Sequence, residues 1–133
     1  MFSGGTEASA FNIRAVSALI RAGFVIENLD HSSSPNPHYL IKFDDDRMNL
    51  SAFSKLFNHH LNPKKEFAAA MVCSRADKDC PLIPGADARI SIPYDDPGEF
   101  DGSPSESDKY DETCLKAATE MLFVFSGLKN LNN

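Results

Sequence analysis

Two cysteines separated by six residues, Cys73 and Cys80, are the side chains of this sequence best suited to covalent chemistry. They stand in the segment Cys73-Ser-Arg-Ala-Asp-Lys-Asp-Cys80-Pro81, with Arg75 and Lys78 between them. Nearby cations favour the thiolate, the form of cysteine that attacks sulfur or binds a metal. Asp77 and Asp79 act in the opposite sense, so the balance is not legible from the residues alone. Geometry constrains the pair more sharply. A helix through residues 73–80 would hold the two α-carbons ~10.5 Å apart at 1.5 Å per residue. A disulfide accepts only about 4.4–6.8 Å. The pair can therefore bridge only across a loop, or across a segment that unwinds on oxidation. The other readings are a zinc site, which needs four ligands and usually tighter spacing, and two unrelated half-buried cysteines.

A carboxylate motif follows. Tyr94-Asp95-Asp96-Pro97 places an aspartate directly before proline, where helical geometry is disfavoured. A carboxyl on such a loop beyond a strand end suits a general acid, which has to reach a leaving oxygen; an ordinary turn is the plain alternative. Ser3-Gly4-Gly5-Thr6-Glu7 is a Gly-rich turn whose backbone N–H groups could face an anion, although it fits no complete phosphate-loop pattern. Asp44, Asp45 and Asp46 read as a solvated turn and lack the spacing of a calcium loop. His59 and His60 read as a surface loop, because adjacent histidines on a helix diverge and make a poor metal pair. No metal or cofactor is implied.

These groups need a scaffold. The apolar spacing of Phe11, Ala15, Val16, Leu19 and Ile20 predicts a helix, with Gly23 at its C-terminal cap. Phe24-Val25-Ile26 reads as an extended link and Tyr39–Phe43 as a strand, while residues 51–58 read as a short helix. Phe67–Cys73 reads as a buried parallel strand, apolar on both faces, and Arg89–Ile92 as another strand. Residues 95–104 form a long polar loop. A final helix from about residue 106 to about residue 126 carries Tyr110, Cys114, Ala117, Ala118, Met121, Leu122 and Phe125 along one stripe. Cys114 there reads as a small buried hydrophobe. Alternating strands and helices predict an α/β domain with a three-layer, mostly parallel open sheet. Ligands of such sheets bind beyond the carboxyl ends of the strands, where Cys73 falls.

The composition agrees with one folded α/β domain over residues 1–133. Hydrophobic residues make up 42% of the chain and the mean hydropathy is −0.29, values of a water-soluble fold. The net charge of −6, with no basic stripe, argues against a nucleic-acid partner. No apolar run approaches the ~20 residues of a membrane span, and no secretion signal is visible. An odd count of three cysteines then predicts a reducing, cytoplasmic setting.

Taken together, the pieces resemble the low-molecular-weight protein tyrosine phosphatase superfamily, in particular its thioredoxin-coupled arsenate reductase branch. Three stretches carry the resemblance: Ser3 to Phe24 (S-G-G-T-E-x-x-A-F-N-x-R-A-V-x-A-L-x-x-A-G-F), Cys73 to Pro84 (C-x6-C-P-x-x-P) and Asp95-Asp96-Pro97. Their order extends it over nearly the whole chain. It implies that Cys73 attacks an arsenylated nucleophilic cysteine, that Cys80 then attacks Cys73, and that thioredoxin reduces the resulting disulfide. It implies Asp96 as the general acid of the phosphatase branch, with Asp95 as the fallback. Arsenate or a phosphorylated molecule would be the substrate. The family's first strand and helix, with the Cys-x5-Arg loop that supplies nucleophile and oxyanion site, have no counterpart here, since Arg75 lies too close to Cys73. The expectation is therefore a chain truncated at its N-terminus and inactive alone. An exposed internal strand edge would invite a homodimer. The alternative is a non-catalytic, redox-responsive or partner-binding remnant of the same fold.

Overall fold

The computed structural model describes residues 2–30, 34–43, 49–73 and 82–131. In chain order the elements are α1 (Ile13–Arg21), β1 (Val25–Asn28), β2 (Tyr39–Lys42), β3 (Leu50–Ala52), β4 (Phe67–Cys73), β5 (Ala86–Tyr94), a 3-10 turn (Pro97–Phe100) and α2 (Glu106–Leu131). The fold class is mixed α/β. The residues divide into two compact units, one of residues 1–12 and 24–96, the other of residues 13–23 and 97–133.

The first unit holds two sheets. β1, β2 and β3 form an antiparallel sheet in that order, while β4 and β5 form a parallel pair. Parallel pairing, expected for most of the sheet, is thus confined to β4–β5 among the named strands. The stretch at Phe24-Val25-Ile26, expected as a link, runs into β1. Its register with β2 is closed by polar caps: Leu29 N–H donates to the His38 carbonyl at 2.8 Å, and His38 N–H donates to Asp30 Oδ2 at 2.8 Å. β2 is the central strand and alternates strictly, with Tyr39 and Ile41 buried. Phe11 meets Tyr39 edge-on at 5.9 Å.

The helix expected over residues 51–58 is not formed. That stretch is the end of β3 followed by turns. The cause is a side-chain amide acting as a strand partner. Asn36 Nδ2 donates to the Ser54 carbonyl at 2.7 Å, and Ser54 N–H donates to Asn36 Oδ1 at 3.1 Å. Both backbone groups of Ser54 are then engaged outside any helical ladder.

β4 is the expected parallel strand, but it is not covered on both faces. Met71 is buried and Phe67 and Ala69 are half-buried, while Ala68, Ala70 and Val72 are exposed. The period of two, rather than a continuous buried run, describes the strand.

In the second unit α1 packs against α2. Val16 and Ala18 are buried on α1 and Tyr110 on α2. The predicted cap is present: Gly23 has φ +100, its N–H donating to the Ile20 carbonyl at 3.0 Å, the left-handed stop typical of glycine. α2 extends past the expected end near residue 126 to Leu131. Along its predicted stripe Tyr110 is buried and Cys114, Ala117 and Met121 are half-buried, whereas Leu122 and Phe125 are exposed. No helix among the described residues is long and apolar enough to cross a membrane.

Candidate functional site

The parallel pair sets the geometry. β4 and β5 enter the sheet side by side, because Gly85 lies directly against the Lys64 carbonyl just before the strands begin. They leave it side by side as well, with Cys73 in register with Tyr94. Between Met71↔Ser91 and Cys73↔Tyr94 the partner strand carries one additional residue. Pro93 stands in that interval, and a proline, lacking an N–H, interrupts a ladder and is accommodated at a bulge. The irregularity bends the chain at the strand ends, where a functional loop would start.

Asp95 and Asp96 follow Tyr94 immediately, and both are exposed. The backbone therefore brings Cys73 and the Asp95-Asp96-Pro97 turn to the same carboxyl edge of one parallel pair. That is the position from which open parallel sheets bind ligands. Cys80, with residues 74–81, lies outside the described residues, as does the side chain of Cys73. The aspartates at 44–46 also lie outside them. Cys114, expected to be buried, sits half-buried on α2 as a free thiol.

The Gly-rich turn is put to a different use from the expected one. Gly5 N–H donates to the Lys55 carbonyl at 2.9 Å, and the Gly5 carbonyl accepts from Phe57 N–H at 2.9 Å. Gly5 forms a parallel bridge with Leu56. Its amide is thus engaged within the chain and does not face an anion.

His59 and His60 do lie in a non-helical turn, but their rings do not diverge. The ring centroids are 4.3 Å apart and tilted by 34°. The His59 pKa lies below the ordinary imidazole value, first through burial and then through the charges of His60 and Lys55. Among the described residues no group of three or more His, Cys, Asp or Glu side chains is placed to hold a metal ion.

A shallow cleft between α1 and α2 is lined by Arg14, Ser17, Arg21, Glu106, Ser107 and Tyr110. Arg14 and Arg21, seven residues apart, share a face of α1, and that spacing was the signal available in the sequence for finding them. Both are matched by carboxylates. Arg14 meets Glu106 at 2.8 Å and Asp101 at 3.3 Å, and Arg21 grips Asp111 through Nε at 2.9 Å and Nη2 at 2.6 Å. The pairs hold the Glu106 and Asp111 pKa values below the usual carboxylate range: the Gly102 N–H and then Arg14 act on Glu106, and Arg21 acts on Asp111. With its cations already paired, the cleft reads as a structural clasp rather than an anion site.

No protein-family model, curated protein or solved structure matches the chain.

Proposed function

We propose that this chain is the resolving part of a thiol relay of the arsenate-reductase kind, with Cys73 and Cys80 as its exchanging thiols. On this reading β4 and β5 belong to a three-layer parallel sheet of the low-molecular-weight phosphatase type, working in the cytoplasm. The observation that supports it is the shared edge: Cys73 and the Asp95-Asp96-Pro97 turn leave one parallel pair at the same end, in register through Tyr94. Neither motif, read alone, requires the other to be there.

The Cys73 thiolate attacks the sulfur of an arsenylated cysteine. The sulfur–arsenic bond breaks with its electron pair left on arsenic, which departs as arsenite, and a mixed disulfide forms. The Cys80 thiolate then attacks the Cys73 sulfur and expels the first cysteine as thiolate. Two thiols have become one disulfide, and the dithiol of thioredoxin returns them. Asp96, with Asp95 beside it, is the acid that protonates a leaving oxygen where the substrate is a phosphate ester.

The test is thiol mapping on the full chain. Oxidation by glutathione disulfide links Cys73 to Cys80, leaves Cys114 free, and is reversed by reduced thioredoxin. Cys73→Ser and Cys80→Ser each abolish the link, whereas Cys114→Ser preserves it. A link that forms only through Cys114, or none at all, refutes the reading.

A further inference from the structure

The Ser3-Gly4-Gly5 turn is held by one short stretch, residues 55–62. Besides the two backbone bonds of Gly5, Asn62 Nδ2 donates to the Ser3 carbonyl at 3.0 Å and to the Phe57 carbonyl at 3.0 Å, so one amide ties both sides together. Lys55 Nζ reaches Ser3 Oγ at 3.4 Å. The approach at Gly4 is so close that a Cβ there would stand 2.5 Å from Phe57 Cα. Glycine is needed at that position because the two backbones touch.

His59 lies at the centre of the holding stretch. Its N–H donates to the Leu56 carbonyl at 3.1 Å, and its carbonyl accepts from Asn62 N–H at 2.9 Å. Its ring takes part too, since Leu61 N–H donates to Nδ1 at 3.3 Å. Nδ1 can accept that bond only while it carries no proton. The ring is edge-on to Phe53 at 5.5 Å and beside His60 at 4.3 Å. His38 lies against the same Phe53 at 4.3 Å, and Lys55 Nζ stands 5.3 Å from its centre. His38, Lys55 and His60 are all cations when charged, so a proton on His59 joins like charges.

We propose that this histidine cluster is a pH-sensitive clamp: with His59 neutral it pins the Ser3-Gly4-Gly5 turn to residues 55–62, and with Nδ1 protonated it releases that turn. Protonation removes the acceptor of the Leu61 N–H and sets His59 against His60 and Lys55. The lowered pKa of His59 agrees in sign. The folded state prefers the neutral ring, so the clamp is complete above the ordinary imidazole pKa and weakens as pH falls through the folded value. The device is independent of the thiol pair.

Amide hydrogen exchange on the full chain, read by NMR from about pH 7.5 to about pH 5.5, tests it. Corrected for intrinsic rates, protection at Gly5 and Phe57 falls by up to about tenfold over that range. The midpoint coincides with the titration of the His59 ring in the same sample, while the β1–β2 amides hold their protection. His59→Phe, which keeps a ring beside Phe53, makes Gly5 protection independent of pH. Protection that does not change with pH in the native chain, or that follows a midpoint other than that of His59, overturns the proposal. So does a His59→Phe chain that still loses protection at low pH.

Discussion

The Cβ that Gly85 lacks would stand 2.0 Å from the carbonyl oxygen of Lys64. Gly85 also has φ +84, a conformation that costs an L side chain energy. The residue thus meets two demands at once, a left-handed turn and a backbone contact at the start of the parallel pair. β4 ends at Cys73 and β5 runs into Asp95 and Asp96 at their other ends, so the packing at Gly85 bears on where Cys73 and Asp96 emerge.

The first prediction follows from that contact. Gly85→Ala destabilises the chain by about 1–3 kcal/mol, the scale of strained backbone positions. Gly127, in α2, has nothing within 4 Å of the position its Cβ would occupy and no positive φ. Gly127→Ala is therefore neutral or mildly stabilising, since alanine is the better helix former by about 0.8–1.0 kcal/mol. Urea unfolding of the two variants beside the native chain checks the contrast. Equal effects would remove the special role given to Gly85.

How far the residues announced this arrangement depends on the range of the forces involved. Helical periods and the Gly23 cap are local, and both helices were legible from them. The strand at Phe67–Cys73 was legible from its apolar run, but its parallel pairing with β5, which brings Cys73 to Asp95-Asp96-Pro97, was not. What escaped was non-local. The helical reading of residues 51–58 failed because Asn36, eighteen residues earlier, takes both backbone groups of Ser54. The Gly-Gly turn has the composition of a turn that could face an anion, but the Gly5 amide donates to the Lys55 carbonyl, which no local pattern reveals. The burial expected on both faces of β4 is found on one, because an apolar run of small residues does not state how many of its neighbours are covered.

The second prediction separates the two ends of α2. Tyr110 is 6% exposed and its hydroxyl donates to Asp101 Oδ1 at 3.0 Å, whereas Phe123 is 81% exposed. Tyr110→Phe removes that bond and costs about 0.5–1.5 kcal/mol. Tyr110→Ala empties a packed site and costs about 3–5 kcal/mol, as large aromatic deletions in a core do. Phe123→Ala stays within about 0.5 kcal/mol of the native chain, as surface changes do. Thermal and urea melts should show Tyr110→Ala as the most destabilised, Tyr110→Phe next and Phe123→Ala least. A costly Phe123→Ala would mean that its ring is covered in solution.

The third prediction concerns acid. Glu106 and Asp111 have folded pKa values below their ordinary ones, held there by the Gly102 N–H with Arg14 and by Arg21 respectively. Linkage then fixes the sign. Their contribution to stability is complete above the ordinary carboxylate range and is lost as pH falls through the lower, folded values. Protonating Glu106 weakens its hold on Arg14 and on the Gly102 N–H together, the latter now at 2.6 Å. Acid unfolding of the native chain therefore steepens below the ordinary glutamate pKa, and Glu106→Gln, which cannot titrate, makes that limb shallower. Arg21→Lys affects the same limb through Asp111, because a lysine cannot supply the paired donors that a guanidinium presents. Since these side chains are open to solvent, raising the salt concentration lessens both effects. Stability measured by urea titration at a series of pH values, for the native chain and both variants, gives the slopes directly. An acid limb unchanged in Glu106→Gln would show that the clasp between α1 and α2 does not govern acid unfolding.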